Sequence, residues 1–239
     1  MKKVEFYLKG LRAKFGIEVK VRKYPYGDKK RRIDLVRHYR INKIFDVGAN
    51  KGQYGKLMRM LGYDKQIISF EPLTNAFSVL EKNSKLDKKW DAYNYGLGSR
   101  NQNLKINISK NSFSSSILDI LESHTKPFPD AAYVSEELIE VKKLDDIFNN
   151  FYSEKDRIFV KIDTQGFEME VLKGAAESLE KIKGIQIELS TMPLYKDQTL
   201  YFEIISFLNS NNFVLHSIEP GSTDFNGRLL QMDGLFFKE

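Results

Sequence analysis

The segment Ile44 to Gln53, I-F-D-V-G-A-N-K-G-Q, constrains this chain most: a short apolar run ends in an acid and passes directly into a glycine-spaced turn. Beyond it Tyr54, Leu57, Met58 and Leu61 fall at i, i+3, i+4 and i+7, one face of a helix opening near Gly52. Strand, turn and helix N-terminus therefore follow one another. Free backbone N–H groups and the helix dipole at such a turn favour an anionic or carboxylate-bearing ligand. Gly48 and Gly52 let the backbone approach that ligand where a Cβ would clash.

Spacing narrows the ligand. A dinucleotide fingerprint needs G-x-G-x-x-G, but Asn50 stands at its second glycine, which weakens a dinucleotide reading. The next apolar run, Gln66 to Phe70, ends in Glu71 and Pro72, and an acid there can accept hydrogen bonds from both ribose hydroxyls of a nucleoside. S-adenosylmethionine fits both features, with its methionine carboxylate at the glycine turn and its ribose at Glu71.

From Lys43 onward short apolar runs alternate with amphipathic helices, the pattern of an α/β chain whose parallel sheet is covered on both faces. Strands are expected near 43–47, 66–71, 91–95, 157–163, 184–190, 212–219 and 229–237. Helical stripes comprise Leu73, Ala76, Phe77 and Leu80; Val171, Leu172, Ala175, Ala176 and Leu179; and Tyr201, Ile204, Ile205 and Leu208. The last two strands join through Pro220-Gly221-Ser222, which predicts a hairpin closing one sheet edge with an antiparallel last strand. Between about 98 and 142 the alternation breaks. Leu104, Ile106 and Ile108 alternate as a strand, then a polar stretch from Asn111 to Ser116 leads to His124, Pro127 and Pro129. Near 99–142 a substrate lid is the preferred reading over a dispensable insertion.

At 239 residues and 41% hydrophobic, with no Pro/Gly/Ser-rich linker, the chain suits one main domain, 41–239, behind an N-terminal basic helical extension, 1–40. In that extension Val4, Tyr7, Leu8, Leu11 and Phe15 keep helical spacing, and Tyr24-Pro25-Tyr26-Gly27-Asp28 reads as the link. The absence of cysteine excludes disulfides, thiolate metal sites and a cysteine nucleophile, and fits a reducing compartment. No signal-like or membrane-spanning apolar run is present, so a soluble cytoplasmic protein is expected. The net charge of +6 is concentrated early, in Lys20, Arg22, Lys23, Lys29 to Arg32, Arg37 and Arg40. A solvated face is the simplest reading, peripheral contact with an anionic membrane another, and no aromatic-interleaved signature points to nucleic acid.

Taken in order, D-V-G-A-N-K-G-Q-Y (46–54), F-E-P (70–72), N-Y-G-L-G (94–98), S-S-S (114–116), L-D-D (144–146), K-I-D-T-Q-G-F-E (161–168), V-L-K-G-A (171–175), I-E-L-S (187–190) and G-R-L-L-Q-M-D (227–233) resemble the FkbM family of S-adenosylmethionine-dependent methyltransferases. The resemblance runs from about Asn42 to the C-terminus. It implies a Rossmann-like seven-stranded methyltransferase sheet and O-methyl transfer to a hydroxyl of a sugar, glycan or other secondary metabolite. The chain departs at Gln165, where the family often carries Glu, and at Gly96, often Ala, a change expected to be harmless.

Donor contacts are then expected from Asp46, Gly48, Ala49, Asn50, Gly52, Gln53, Tyr54, Glu71, Pro72, Asn94, Gly96 and Asp163. Asp46 would reach the methionine amino group directly or through water, Glu71 the ribose, and Asn94 with Gly96 the adenine. Asp163, at the carboxyl end of the middle strand, would orient the acceptor, bind a metal or support the donor. The position does not read D-P-P-Y, which favours a hydroxyl over an amine acceptor. A hydroxyl needs a base, and His124 is preferred, since an ordinary Asp is too weak. Glu168 and Glu188 are the alternative acids, able with Asp163 to form an oxygen-rich metal site, although a metal-free site is the expectation. Two other classes compete: an NAD(P)-dependent oxidoreductase, and an RNA-binding or RNA-modifying protein acting through the basic extension.

Overall fold

The computed structural model describes residues 27–239, so the expected helix around Val4 to Phe15 lies outside the described residues. Among the described residues there are ten strands: β1 Lys43–Val47, β2 Gln66–Phe70, β3 Trp90–Tyr93, β4 Gly96–Gly98, β5 Gln102–Ser109, β6 Tyr133–Lys143, β7 Ile158–Ile162, β8 Ile182–Ser190, β9 Val214–Pro220 and β10 Gln231–Phe237. Seven build the main sheet in the order β3-β2-β1-β7-β8-β10-β9. β1, β2, β3, β7 and β8 are parallel, and β10 is antiparallel to both β8 and β9. The hairpin does close one edge with a reversed last strand. It does so by slotting β10 between β8 and β9, so only that strand is reversed. The chain leaves β1 for β2 and β3 on one side and returns to β7 on the other. Such a reversal opens a crevice at the strands' carboxyl ends.

Both faces are covered, as the alternating pattern predicts. On one face the helices Asp28–His38 and Gln53–Met60 pack Ile33, Val36, Tyr54 and Met58 against Ile44, Phe159, Leu235 and Phe237. On the other, Val171, Leu172, Ile204 and Leu208 cover Phe45, Val160, Ile185 and Phe236. The helix at 53 opens where its spacing predicts, with Gly52 as N-cap in the left-handed region at φ 85°. The stripe from Val171 to Leu179 is not one helix. It stops at Lys173 and resumes as a 3-10 turn at Ser178–Lys181; at the break the backbone of Gly98 crosses Gly174 so closely that a Cβ there would lie 1.9 Å from the Gly98 carbonyl oxygen.

The basic run is only partly a solvated face. Lys29 and Lys30 are exposed, but Arg32 is buried on the inner side of its helix and pairs through Nε and Nη2 with both carboxylate oxygens of Glu219 on β9. Burying an arginine requires such a partner, and the partner lies 187 residues away.

The expected lid region has its own sheet, of order β4-β6-β5, with β5 and β6 antiparallel and Leu104, Ile106 and Ile108 on β5 as predicted. The connection from Lys110 to Ala132 returns over the carboxyl ends of the main sheet. It is tied there by Asn50 Nδ2 donating to the Ser112 carbonyl at 3.1 Å and by Ser116 Oγ donating to the Gln165 carbonyl at 2.6 Å.

Candidate active site

Between this roof and the ends of β1, β2, β7 and β8 lies a cavity of about 360 Å³. Gly48, Asn50, Glu71, Pro72, Gly96, His124, Asp163 and Glu188, all expected from sequence, line it together. Asp46, Ala49, Gly52, Gln53, Tyr54 and Asn94 are not among its lining residues.

At one end Glu71 organises the glycine turn. Its Oε2 accepts the Asn50 N–H at 2.7 Å and its Oε1 the Leu73 N–H at 2.9 Å. The turn differs from the anion cradle expected of it. Gly48 and Ala49 N–H both donate to the Phe70 carbonyl, Lys51 N–H to Asn50 Oδ1 and Gly52 N–H to the Ala49 carbonyl. With Asn50 committed to Glu71, all five turn amides are already satisfied. What the turn presents is close backbone approach and a carboxylate.

Asp46 is fully buried below the cavity, where Ser69 Oγ donates to its Oδ2 at 3.3 Å and Lys161 Nζ lies 3.3 Å from its Oδ1. Asp46 therefore lies behind the cavity wall rather than on it. Lys161 also donates to the Gly48 carbonyl at 3.0 Å and lies 3.5 Å from Asp163. Burial pulls its pKa down, but Asp163 and Asp46 outweigh burial and the net shift is upward. Tyr54 points under the sheet and donates to Gln186 Oε1 at 3.1 Å, Ala49 packs in the core, and Asn94 Nδ2 pins the carbonyls of Glu71 and Pro72 at 3.0 Å. These residues shape the cavity from behind. Lys161 itself was legible in hindsight: a lone lysine in F-V-K-I, a strand buried on both faces, requires buried counter-charges.

At the other end Gln165 bridges two carboxylates. Its Nε2 lies 2.9 Å from both Asp163 Oδ1 and Glu188 Oε2, while Tyr195 donates to its Oε1 at 2.8 Å and fixes the amide. Gln231 Nε2 adds a second bond to Glu188 Oε2 at 2.7 Å. Where the family often carries a third acid, this chain thus places a donor between two acids. Burial, with Asp163, Glu168 and Asp233 nearby, raises the Glu188 pKa well above the ordinary range. Glu168 is not at the cavity: it folds back to accept the Thr164 and Gly166 N–H groups. His124 is 3% exposed, and burial lowers its pKa to about 4. Gln231 and Asp233 fall within the family-like segment 227–233, but their place beside Glu188 arises only when β10 lies beside β8; Tyr195, in the connection after β8, gave no local sequence signal. Among the described residues no group of three or more His, Cys, Asp or Glu is arranged to hold a metal.

The Glu71 carboxyl, 4% exposed, is pushed up to about 7 by burial, with the Leu73 and Asn50 N–H groups pulling back. A raised carboxylate contributes stability below its unfolded pKa of about 4.5 and loses it as pH rises through about 7, roughly 3 kcal/mol at most for this shift. Relative to wild type, Glu71→Gln should therefore gain up to about 3 kcal/mol between pH 4.5 and 8 in denaturant titrations. A constant difference across that window would refute the assignment.

The methyltransferase FkbM domain matches residues 46–215. A protein of Beauveria bassiana (strain ARSEF 2860) named Methyltransferase 1 is 27% identical over 158 residues, 61% of this chain and 64% of that protein. The chain thus spans just under two thirds of the length of that curated relative. Among solved structures, magnesium protoporphyrin IX methyltransferase from Synechocystis PCC 6803 with bound SAM is 8% identical with a TM-score of 0.48, covering 88% of this chain and 79% of that one. Precorrin-6y C5,15-methyltransferase from Geobacter metallireducens GS-15 is 12% identical with a TM-score of 0.46, covering 92% and 94%. The family match opens on the buried Asp46 and runs through Glu71, Asp163 and Glu188 to the first residues of β9, so it embraces both strand ends that frame the cavity; the chain belongs to the FkbM methyltransferase family.

Proposed function

We propose that this chain transfers a methyl group from S-adenosylmethionine to a hydroxyl of a sugar, glycan or other secondary metabolite, with Glu71 holding the donor and Glu188 receiving the acceptor's proton. The carrying observation is the pair of carboxylates at opposite ends of one cavity, Glu71 buried and Glu188 half-buried, each fixed by hydrogen bonds from the backbone or from neighbouring amides.

S-adenosylmethionine is the donor of this family, and the residues present fit it. Glu71 has two oxygens whose remaining lone pairs can accept from ribose hydroxyls. Gly48 and Asn50, both at positive φ, line the cavity wall, and Gly48 has no side chain to obstruct a ligand there. Leu73, Gly96 and Leu97 line an apolar flank suited to the adenine. Bound there, the donor supplies an electrophilic methyl carbon on a sulfonium. The protein's part is positioning and proton removal. A Glu188 oxygen would receive the acceptor's O–H proton as that hydroxyl takes the methyl group the donor supplies.

Glu188 suits that role better than His124. A base works best with its pKa near the operating pH; burial takes the His124 imidazole down to about 4, whereas burial and the neighbouring acids raise the Glu188 carboxyl above the ordinary carboxylate range. Asp163, held by Lys161 and Gln165, orients the acceptor. The excursion at 99–142 serves as the lid over both ligands. Glu71→Ala should weaken S-adenosylmethionine binding at least about 100-fold by calorimetry, a loss of roughly 2.7 kcal/mol. Full affinity in that variant would remove the basis of the reading.

A further inference from the structure

Two buried polar atoms on the roof of the cavity have no hydrogen-bond partner, Ser112 Oγ and His124 Nδ1. Ser112 sits over the glycine turn, its carbonyl tied to Asn50, and so belongs to the donor end. His124 belongs to the other end. Its ring packs edge-on against Tyr195 at 5.2 Å, and the Tyr195 hydroxyl holds the amide of Gln165 between Asp163 and Glu188. A buried polar atom left without a partner is costly and calls for an explanation.

We propose that His124, with the carboxylates of Asp163 and Glu188, forms the acceptor subsite, and that this subsite admits an uncharged, hydroxyl-rich acceptor while excluding one that carries phosphate or carboxylate near the reacting hydroxyl. The inference rests on the methyl-transfer reading above and deepens it. A neutral imidazole offers one N–H and one lone pair, matching a hydroxyl that both donates and accepts. Burial keeps this ring neutral, with its pKa down at about 4. The described residues lining the cavity include Glu71, Asp163 and Glu188 but no Lys or Arg. Lys161, behind the wall, already lies within ion-pair distance of Asp46 and Asp163. An anionic group at the acceptor end would therefore lie against Asp163 and Glu188 without a cation to receive it. An ammonium would be held protonated by the same carboxylates and have no lone pair to accept a methyl. Phe113, 60% exposed yet lining the cavity, offers an aromatic face at its rim for the apolar side of a sugar ring.

The test uses the whole chain saturated with S-adenosylhomocysteine and saturation-transfer NMR with methyl glycosides of glucose, fucose and rhamnose, against glucose 6-phosphate and glucuronate. At least one neutral glycoside should bind with a millimolar Kd, about tenfold or more tighter than either anion. His124→Leu should weaken that binding about tenfold or more, and His124→Gln, which keeps hydrogen-bonding capacity, should restore it to within about threefold. Anions binding as tightly as the glycosides, no glycoside binding at all, or unchanged binding in His124→Leu would each overturn the proposal. Should the leucine variant fail to fold, the wild-type comparison of neutral with anionic sugars decides it. Failure of S-adenosylhomocysteine itself to bind would instead strike the methyl-transfer reading, so the two failures are distinguishable.

Discussion

A Lys161→Met protein is expected to lose about 3–5 kcal/mol of stability, which for a chain of this length lowers Tm by roughly 10 °C or more. Methionine replaces the apolar stem and removes the charge. Asp46, fully buried, is then left with the Ser69 hydroxyl as its remaining polar side-chain contact. An uncompensated carboxylate in a sheet interior is among the most expensive single defects a fold can carry. Removing the second charge as well, in Lys161→Met with Asp46→Leu, should recover most of the loss, because a buried ion pair contributes little beyond its apolar replacement. Donor binding should not return with it. Lys161 Nζ also donates to the Gly48 carbonyl at 3.0 Å, a bond neither variant can make. Calorimetry with S-adenosylmethionine should thus show affinity reduced at least about tenfold in both proteins. A single variant as stable as wild type would show that the Asp46–Lys161 pair does not hold β1 to β7.

That pair also shows what could be read from the chain and what could not. The strands of the main sheet were legible, unlike those at β4 and β6, because a parallel sheet covered on both faces demands continuous apolar runs, and I-F-D-V, Q-I-I-S-F and I-F-V-K-I supply them. The helix at Gly52 was legible from a 3.6-residue stripe. Glu71 was legible because an acid closing such a strand has few structural reasons to be there. The fate of the turn amides was not legible. Their acceptors are the Phe70 carbonyl and the Glu71 carboxylate on β2, which come into register only when β2 pairs with β1. Arg32 looked like one more solvated cation for the same reason: nothing within a local window announces Glu219. The placement of β10 between β8 and β9 was likewise hidden, since a hairpin fixes which strands pair but not which of them faces the rest of the sheet. Gln165 lay between these cases. Its departure from the family pattern was visible, but its use as a donor to Asp163 and Glu188 required both strand ends and Tyr195 in place.

Gly48→Ala should be the most damaging small substitution in the cradle, and Gly96→Ala, the same chemical change a short distance across the cavity, should be nearly silent. Gly48 has φ 72°, and a Cβ there would lie 2.0 Å from the Asp163 carbonyl oxygen. The obstacle is backbone at the end of β7, held by the Asp163 N–H bonding to the Val47 carbonyl at 3.2 Å, so it cannot swing aside as a side chain could. Left-handed strain costs about 1–3 kcal/mol and forced overpacking about as much again, so a loss of roughly 3–5 kcal/mol is expected. Relief of the clash must part β1 from β7, the two strand ends that carry the glycine turn and Asp163, and donor affinity should fall at least about 100-fold. At Gly96 the same methyl would meet Pro72 and Val141 at 3.6 Å, an ordinary contact, and stability should stay within about 0.5 kcal/mol of wild type. Thermal melts of the two variants side by side, with calorimetric titration of S-adenosylmethionine, separate the cases. If the two alanines behaved alike, the close approach of β1 and β7 at Gly48 would not be what shapes the donor end of the cavity.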